Sequence, residues 1–224
     1  MSDLSWESPG VILRLAEDVV TKHSPYRASE EWALTRRHHG LWCEPVIYVL
    51  QGLPAGSIVL DVGPGHGALA AAATLLGHRV YAVERFLQFL PEGGGLWRRG
   101  DICAPGVVDG LAGQCDVVLM MEVLEHLTTD PTAALRNVAT ALRPGGVFIG
   151  STPEPDVWPG REARSGELPA WSASEVAEDR HVRLYSPAEV AALLSEAGLE
   201  MLSFEGIGAP PARFLWWARK AGVT

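Results

Sequence analysis

The chain has 224 residues, of which 47% are hydrophobic and 20% are charged, and its formal net charge at pH 7 is −9. This length and composition are typical of one globular domain with a sizeable core. The net negative charge argues against nucleic acid as a partner, because phosphate backbones repel it. The chain contains three cysteines and no CxxC pair, which argues against a disulfide framework or a zinc knuckle.

Neither a membrane span nor a secretory signal is expected from the sequence. No uninterrupted apolar run approaches the roughly 18 residues that a membrane span requires. The segment MSDLSWESPG carries acids and a proline where a signal peptide would carry basic and then apolar residues. We therefore expect a cytoplasmic protein. Only Lys22 and Lys220 are lysines among 18 basic residues, and alanine, glycine and proline are abundant, which is typical of a GC-rich bacterial genome.

Four segments follow one another along the chain. Apolar residues at helical spacing between residues 10 and 50 predict an N-terminal helical cap, residues 1–56. In residues 57–151, short apolar runs such as SIVLDV, RVYAVE and DVVLMM alternate with helical stretches, which indicates βαβ units and a parallel sheet. Residues 152–180 have four prolines and little periodicity, and we interpret them as a lid over the carboxyl ends of the strands or, alternatively, as a surface insertion.

The last segment, residues 181–224, is predicted to hold one helix and two strands. Ser186 and Glu189 have the spacing of a capping box at the start of SPAEVAALLSEAG, and Gly198 ends that helix. The stretches EMLSFEGI and RFLWWARK then read as strands that close the sheet. We expect the four segments to form a single domain.

The strongest functional signal is the stretch DVGPGHG, residues 61–67, which directly follows an apolar strand and precedes an alanine-rich helix. Ligands in open α/β sheets lie off the carboxyl ends of the strands, where glycines let them approach bare backbone. The stretch resembles the first motif of class I S-adenosylmethionine (SAM)-dependent methyltransferases, an acid followed by GxGxG. The resemblance implies that Gly63, Gly65 and Gly67 hold the methionine half of SAM and that Asp61 helps to bind its ammonium group.

A dinucleotide-binding turn is an alternative, because Gly63, Gly65 and Ala68 also match G-x-G-x-x-A. Charge distinguishes the two ligands. Asp61 would face a pyrophosphate unfavourably, whereas SAM has no phosphate and carries an ammonium and a sulfonium. The alternatives to a methyltransferase are therefore an NAD(P)-dependent oxidoreductase and a SAM-binding protein with other chemistry.

Further acids fall at the ends of the next predicted strands. Glu84 ends RVYAVE, 21 positions after Gly63, where an acid can accept hydrogen bonds from ribose hydroxyls. Asp101 and Ile102 follow the third predicted strand. At that place the methyltransferase resemblance implies an acid against the adenine amino group and an apolar side chain against the ring. A loop carboxylate without a ligand is the alternative for Asp101.

The stretch DVVLMMEVLEHL, residues 116–127, resembles the fourth strand and the following turn of methyltransferases of the ubiquinone-biosynthesis type. The resemblance extends over about residues 57–205. It implies that Met121 and Glu122 border the SAM pocket. It also implies a Rossmann-like α/β fold with seven strands, the last one antiparallel, and methyl transfer by in-line displacement to oxygen or nitrogen of a small molecule.

The same stretch leaves two interpretations open. Glu122, Glu125 and His126 would share one face if the segment were helical. Small-RNA 2′-O-methyltransferases present a similar E-x-x-E-H and a later histidine, here matched by His181, and bind a divalent ion with them. The alternative, which we favour because the motif recurs in methyltransferases without a known metal, is that His126 or His181 acts as a general base.

Overall fold

The computed structural model describes residues 4, 6–23, 30–86, 96–153, 181–207 and 213–220, without the side chains of residues 23, 30–39 and 41. Its helices of two turns or more are α1 (Pro9–His23), α2 (Glu30–Gln51), α3 (Ala68–Leu75), α4 (Pro131–Ala141) and α5 (Pro187–Glu196). Its strands are β1 (Ile58–Val62), β2 (Arg79–Glu84), β3 (Trp97–Arg99), β4 (Cys115–Met121), β5 (Leu142–Pro153), β6 (Leu199–Ile207) and β7 (Arg213–Lys220).

The strands form one seven-stranded sheet in the order β3-β2-β1-β4-β5-β7-β6. The pairs β1–β2, β2–β3 and β4–β5 are parallel, whereas β7 runs antiparallel to both β5 and β6. This confirms the mostly parallel, Rossmann-like sheet with an antiparallel last strand. Of the predicted lid, residues 152–180, only Thr152 and Pro153 belong to the described residues, and they end β5.

The chain divides into two compact units, Met1–Asp101 and Ile102–Thr224. In the first unit α1 packs against α2 and α3, and α3 packs against β1 and β2. In the second unit α4 packs against α5, and α5 packs against β6. Among the residues that the structure describes, no helix has the length and apolar character needed to cross a membrane.

Local sequence explains where the helices of the second unit begin. The Asp130 carboxylate accepts a hydrogen bond from the Thr132 backbone N–H at 2.8 Å, and Pro131 occupies the first turn of α4. The predicted capping box of Ser186 and Glu189 is present at the start of α5. The stretch RPGG, residues 143–146, lies inside β5, where the ladder with β4 shifts in register.

The centre of the antiparallel part of the sheet depends on one close approach between strands. Trp216 of β7 is fully buried, and it lies opposite Gly150 of β5 in the ladder. A Cβ atom at Gly150 would overlap the Trp216 ring. Because both residues belong to central strands, little room exists for either to move.

We therefore expect Gly150→Ala to lower the free energy of unfolding by about 1–3 kcal/mol, the usual cost of overpacking a core. Urea denaturation monitored by circular dichroism would measure it. Gly110→Ala is the matched control, because Gly110 is exposed and a Cβ there meets nothing within 4 Å. Equal midpoints for the two variants would contradict this account of the β5–β7 packing.

Candidate functional site

The glycine turn between β1 and α3 has an unusual backbone. Gly63, Gly65 and Gly67 have φ angles of 64°, 53° and 85°, in the left-handed region that favours glycine. The Gly63 N–H donates to the Val83 carbonyl of β2 at 2.9 Å, so the turn is tied to the neighbouring strand. A Cβ at Gly65 would point into open space, which leaves bare backbone accessible to a ligand.

Gly67 is required for a different reason. It is the N-cap of α3, and a Cβ there would lie 2.7 Å from the Trp97 ring of β3. Trp97 therefore covers one side of the turn, a contact that the sequence pattern did not indicate.

Two carboxylates are buried beside this turn. Asp61 and Glu84 expose only 2% and 3% of their surface. Glu84 accepts hydrogen bonds from the Gly65 N–H at 3.2 Å and from the Phe86 N–H at 2.8 Å. Burial, together with the charge of Glu84, raises the pKa of Asp61 to about 7, and a hydrogen bond from the Ala70 backbone N–H acts in the opposite direction.

This arrangement fits a cationic ligand and disfavours an anionic one. Two buried carboxylates repel each other, and a positive group placed beside them would relieve that repulsion. The ammonium of SAM is such a group, and the open space at Gly65 leaves room for its methionine half. A pyrophosphate would add negative charge at the same place, which argues against a dinucleotide.

The other residues assigned to the cofactor lie in different surroundings. Asp101 is half-buried and follows β3 by two residues. Ile102 is buried, with 5% exposure, and Met121 is buried at the last position of β4. Ile102 and Met121 belong to the second unit, whereas Asp61, Glu84 and Asp101 belong to the first.

Glu122 adopts a conformation that the helical interpretation did not anticipate. It has a φ of 55°, and no other described residue except glycine has a positive φ. The Glu122 N–H donates to both the Oγ atom and the carbonyl of Ser151, at 3.1 and 3.2 Å. Its carboxylate accepts from Ser151 Oγ and from Arg213 Nε, both at 2.7 Å. The segment is therefore not helical at Glu122, and the condition under which Glu122, Glu125 and His126 would share one face is not met.

Instead, the chain makes one short 3₁₀ turn, Leu124–His126, after Glu122. Glu125 is fully buried there, and its Oε2 accepts a hydrogen bond from Thr152 Oγ1 at 3.3 Å. Burial, with the charge of Glu122 adding to it, raises the pKa of Glu125 well above its usual range. This shift favours the neutral form of the Glu125 carboxyl group.

His126 and His181 meet next to Glu125. Their ring centroids are 4.8 Å apart in an edge-to-face arrangement, and His126 Nε2 lies 3.9 Å from Glu125 Oε1. The Glu125 carbonyl accepts from the N–H groups of Val182 and Arg183, which holds the segment that carries His181 in place. Burial lowers the pKa of His181 to about 4, and the positive charges of His126 and Arg213 contribute to this shift.

The structure brings together three of the four side chains that the divalent-metal interpretation names. One ligand atom each from Glu125, His126 and His181 lies within 4.8 Å of the others, but Glu122 does not join this group, because Arg213 and Ser151 hold its carboxylate. Ligand atoms that share a zinc ion are about 3.4 Å apart, as metal–ligand bonds of about 2.1 Å in tetrahedral geometry require. The three side chains would have to move inwards to share an ion.

Sequence reasoning missed three polar residues of this site: Ser151, Thr152 and Arg213. Ser151 and Thr152 lie in β5 inside or just after an apolar run, and Arg213 begins β7. Arg213 reaches Glu122 across 91 positions of sequence, so no local pattern links the two.

Comparison with known proteins gives a consistent result. Residues 34–203 match the model of a family described as a methyltransferase domain. A curated relative, the ubiquinone biosynthesis O-methyltransferase of Xanthomonas axonopodis pv. citri (strain 306), is 33% identical over 177 residues, which cover 71% of this chain and 70% of the relative.

Solved structures show the same fold. The structure of the 1,6-didemethyltoxoflavin-N1-methyltransferase of Burkholderia thailandensis with bound 1,6-didemethyltoxoflavin and S-adenosylhomocysteine aligns with a TM-score of 0.63 at 21% identity. The alignment covers 95% of this chain and 88% of that one. The [4+2]-cyclase SpnF aligns with a TM-score of 0.61 at 13% identity, covering 81% and 82%.

A match over this much of the chain, together with the acid-flanked glycine turn, settles the class and decides against the oxidoreductase alternative. The chain belongs to the methyltransferase-domain family and is a SAM-dependent methyltransferase.

Proposed function

We propose that this enzyme methylates a hydroxyl or a nitrogen of a small molecule in the cytoplasm. Its two units act as one methyltransferase domain, and nucleic acid is not its substrate. The observation that carries the proposal is the pair of buried carboxylates, Asp61 and Glu84, beside the glycine turn. A hydroxyl acceptor is supported by the relative named an O-methyltransferase, and a nitrogen acceptor by the structure named an N1-methyltransferase.

In this proposal the cofactor contacts are those named by the sequence motifs. When bound, SAM supplies a methyl group on a sulfonium centre, which is already activated for displacement. Asp61 pairs with the ammonium group, the glycine turn lines the methionine half, and Glu84 binds the ribose hydroxyls. The remaining cofactor contacts, to the adenine and the pocket border, are assigned to Asp101, Ile102, Met121 and Glu122.

We assign removal of the acceptor proton to the histidine pair, and within it to His126. A proton on His181 is disfavoured by burial and by Arg213. The His126 Nε2 atom lies 3.9 Å from Glu125 Oε1, and this imidazole keeps 20% of its side-chain surface exposed, so an acceptor can reach it. His181 then stays neutral and packs against the His126 ring, which restricts its orientation.

The glycine turn gives the most direct test of cofactor binding. In Gly65→Ala the new methyl group enters space that the methionine half of SAM needs, so S-adenosylhomocysteine should no longer raise the melting temperature as it does in the wild type. Gly77→Ala is the matched control, since Gly77 also has a positive φ and open space around its Cβ. Both variants carry similar backbone strain. Retained stabilisation by ligand in Gly65→Ala would contradict the assignment.

The raised pKa of Asp61 predicts how cofactor affinity and stability depend on pH. In the folded, unliganded protein Asp61 keeps its proton up to about pH 7. In the unfolded chain the same carboxyl group has its ordinary pKa of 3.8 and loses the proton above that pH. This group therefore stabilises the fold less as pH rises from about 4 to 7. Conversely, ammonium binding requires the ionised form, so S-adenosylhomocysteine should bind more tightly at pH 7.5 than at pH 5.5.

Isothermal titration calorimetry at several pH values would measure this dependence. Asp61→Asn should bind weakly at every pH and give a flatter profile, because no proton has to leave. An affinity profile in Asp61→Asn as steep as that of the wild type would show that another group is responsible.

The third test separates a histidine base from a divalent metal. With an acceptor found by screening phenolic and heterocyclic compounds, EDTA should leave turnover unchanged. His126→Gln should lower kcat by about 10²–10⁴-fold with little effect on S-adenosylhomocysteine affinity. A rate that changes near pH 4 and is level from pH 6 to 8 would indicate that His181, and not His126, is the base. Turnover that stops in EDTA and returns with Mn²⁺ would establish a metal site.

A further inference from the structure

A side chain of α4 holds the loop that begins at Ile102. The Asn137 Nδ2 atom donates to the Ile102 carbonyl at 2.7 Å and to the Ala104 carbonyl at 3.0 Å. Asn137 is half-buried, and its neighbours Leu135 and Val138 on the same helix are fully buried. A well-packed helix therefore provides both hydrogen bonds.

These two carbonyls accept few other described backbone hydrogen bonds. Residues 102–108 form turns without a strand ladder, and the only other described backbone bond to these two carbonyls is a long one, 3.4 Å, from the Val107 N–H to Ala104. Val107 and Val108 are buried and anchor the far end of the loop. At the near end, which carries Ile102, Asn137 provides the two short hydrogen bonds to these carbonyls.

The chemistry of the contact is specific to an amide. A side-chain NH₂ group has two donors, and the two carbonyls use both of them. Aspartate has the same shape but no donor when ionised, and it would place an oxygen against two carbonyl oxygens. An alanine would leave both carbonyls without this partner.

We propose that Asn137 is a positioning residue for the adenine half of SAM: by tying the Ile102 and Ala104 carbonyls to α4, it fixes the Ile102 side chain where the adenine ring packs. This inference rests on the proposed assignment of Ile102 to the adenine contact. It makes Asn137, which does not touch the cofactor, a determinant of nucleoside affinity.

Two ligands and two variants distinguish this positioning role from a purely structural role of Asn137. S-adenosylhomocysteine contains both the adenine and the amino-acid group, whereas 5′-methylthioadenosine contains the adenine and lacks the amino acid. Asn137→Asp should weaken binding of both ligands by about five- to tenfold, the effect of about 1 kcal/mol or slightly more. Asp61→Asn should weaken binding of S-adenosylhomocysteine only. Calorimetric Kd values would be compared with melting temperatures of the unliganded proteins.

The control is Gln114→Ala. Gln114 also donates from a side-chain amide, at 3.0 Å to the Gly110 carbonyl, but in an exposed position of the same unit. Its loss should change neither Kd. If Asn137→Asp does not fold, Asn137→Ala takes its place, since alanine favours a helix.

Each outcome decides the question. A lower melting temperature with both Kd values within twofold of the wild type would overturn the inference, because Asn137 would then be only structural. Weaker binding of S-adenosylhomocysteine alone would overturn it too, since the effect would lie on the amino-acid half. A wild-type protein that binds neither ligand would instead refute the proposed cofactor site itself.

Discussion

The burial of two like charges beside one glycine turn is the constraint on which the cofactor site depends. Asp61 and Glu84 are almost inaccessible to water, and the repulsion between them helps to raise the pKa of Asp61 to about 7. A protein built for stability alone would avoid such a pair, because each ionised carboxylate loses its hydration. The arrangement is understandable if a cation completes it. In the proposed site the two carboxylates would therefore favour a cationic ligand by charge, whatever its shape.

The second unit contains another locally unfavourable feature, the left-handed backbone of Glu122. Such a conformation costs free energy for a residue with a side chain and persists only when its surroundings enforce it. Here the surroundings come from two strands: Ser151 of β5 binds the backbone and the carboxylate, and Arg213 of β7 binds the carboxylate. The antiparallel last strand is thus more than an edge of the sheet, since it supplies the cation that fixes Glu122.

Much of the fold could be predicted because buried strands and helices require apolar residues at a regular spacing in the sequence. The runs that end at Asp61-Val62, Glu84 and Met121 are strands, and the acids at or near the ends of the first two lie beside the glycine turn, as parallel strands require. The spacing of Glu122 and Glu125 was misleading for a physical reason. A spacing of three or four residues places side chains on one face only if the backbone is helical, and the Glu122 N–H instead donates its hydrogen bonds to the carbonyl and the Oγ atom of Ser151.

No local sequence pattern indicates the contacts between distant segments. Trp97 against Gly67 and Arg213 against Glu122 arise from strand register and side-chain length, which the individual segments do not encode. Asn137 belongs to the same group, because its partners lie more than 30 positions earlier in the chain. Local pattern therefore predicts which residues reach the ends of the strands, whereas long-range polar pairs decide how those residues are held.

The fold alone does not determine the chemistry, since a protein named a [4+2]-cyclase aligns over 81% of this chain. What distinguishes a methyltransferase acting on a hydroxyl is the need to remove a proton while a cationic donor is bound nearby. A strong positive potential at the base would destabilise its protonated form. A strong negative potential would hold the ammonium group of SAM, but it would also raise the pKa of the imidazole and leave it protonated. The carboxylates Asp61 and Glu84 belong to the first unit, whereas in the second unit burial raises the pKa of Glu125, the carboxyl group beside the histidines. In the proposed mechanism the same type of side chain therefore serves as a counter-ion at one strand end and, after another strand, as a neighbour of the base whose neutral form is favoured. Both kinds of carboxyl group are buried, so the difference lies in their hydrogen bonds: Glu84 accepts from two backbone N–H groups, whereas Glu125 accepts from the Thr152 hydroxyl.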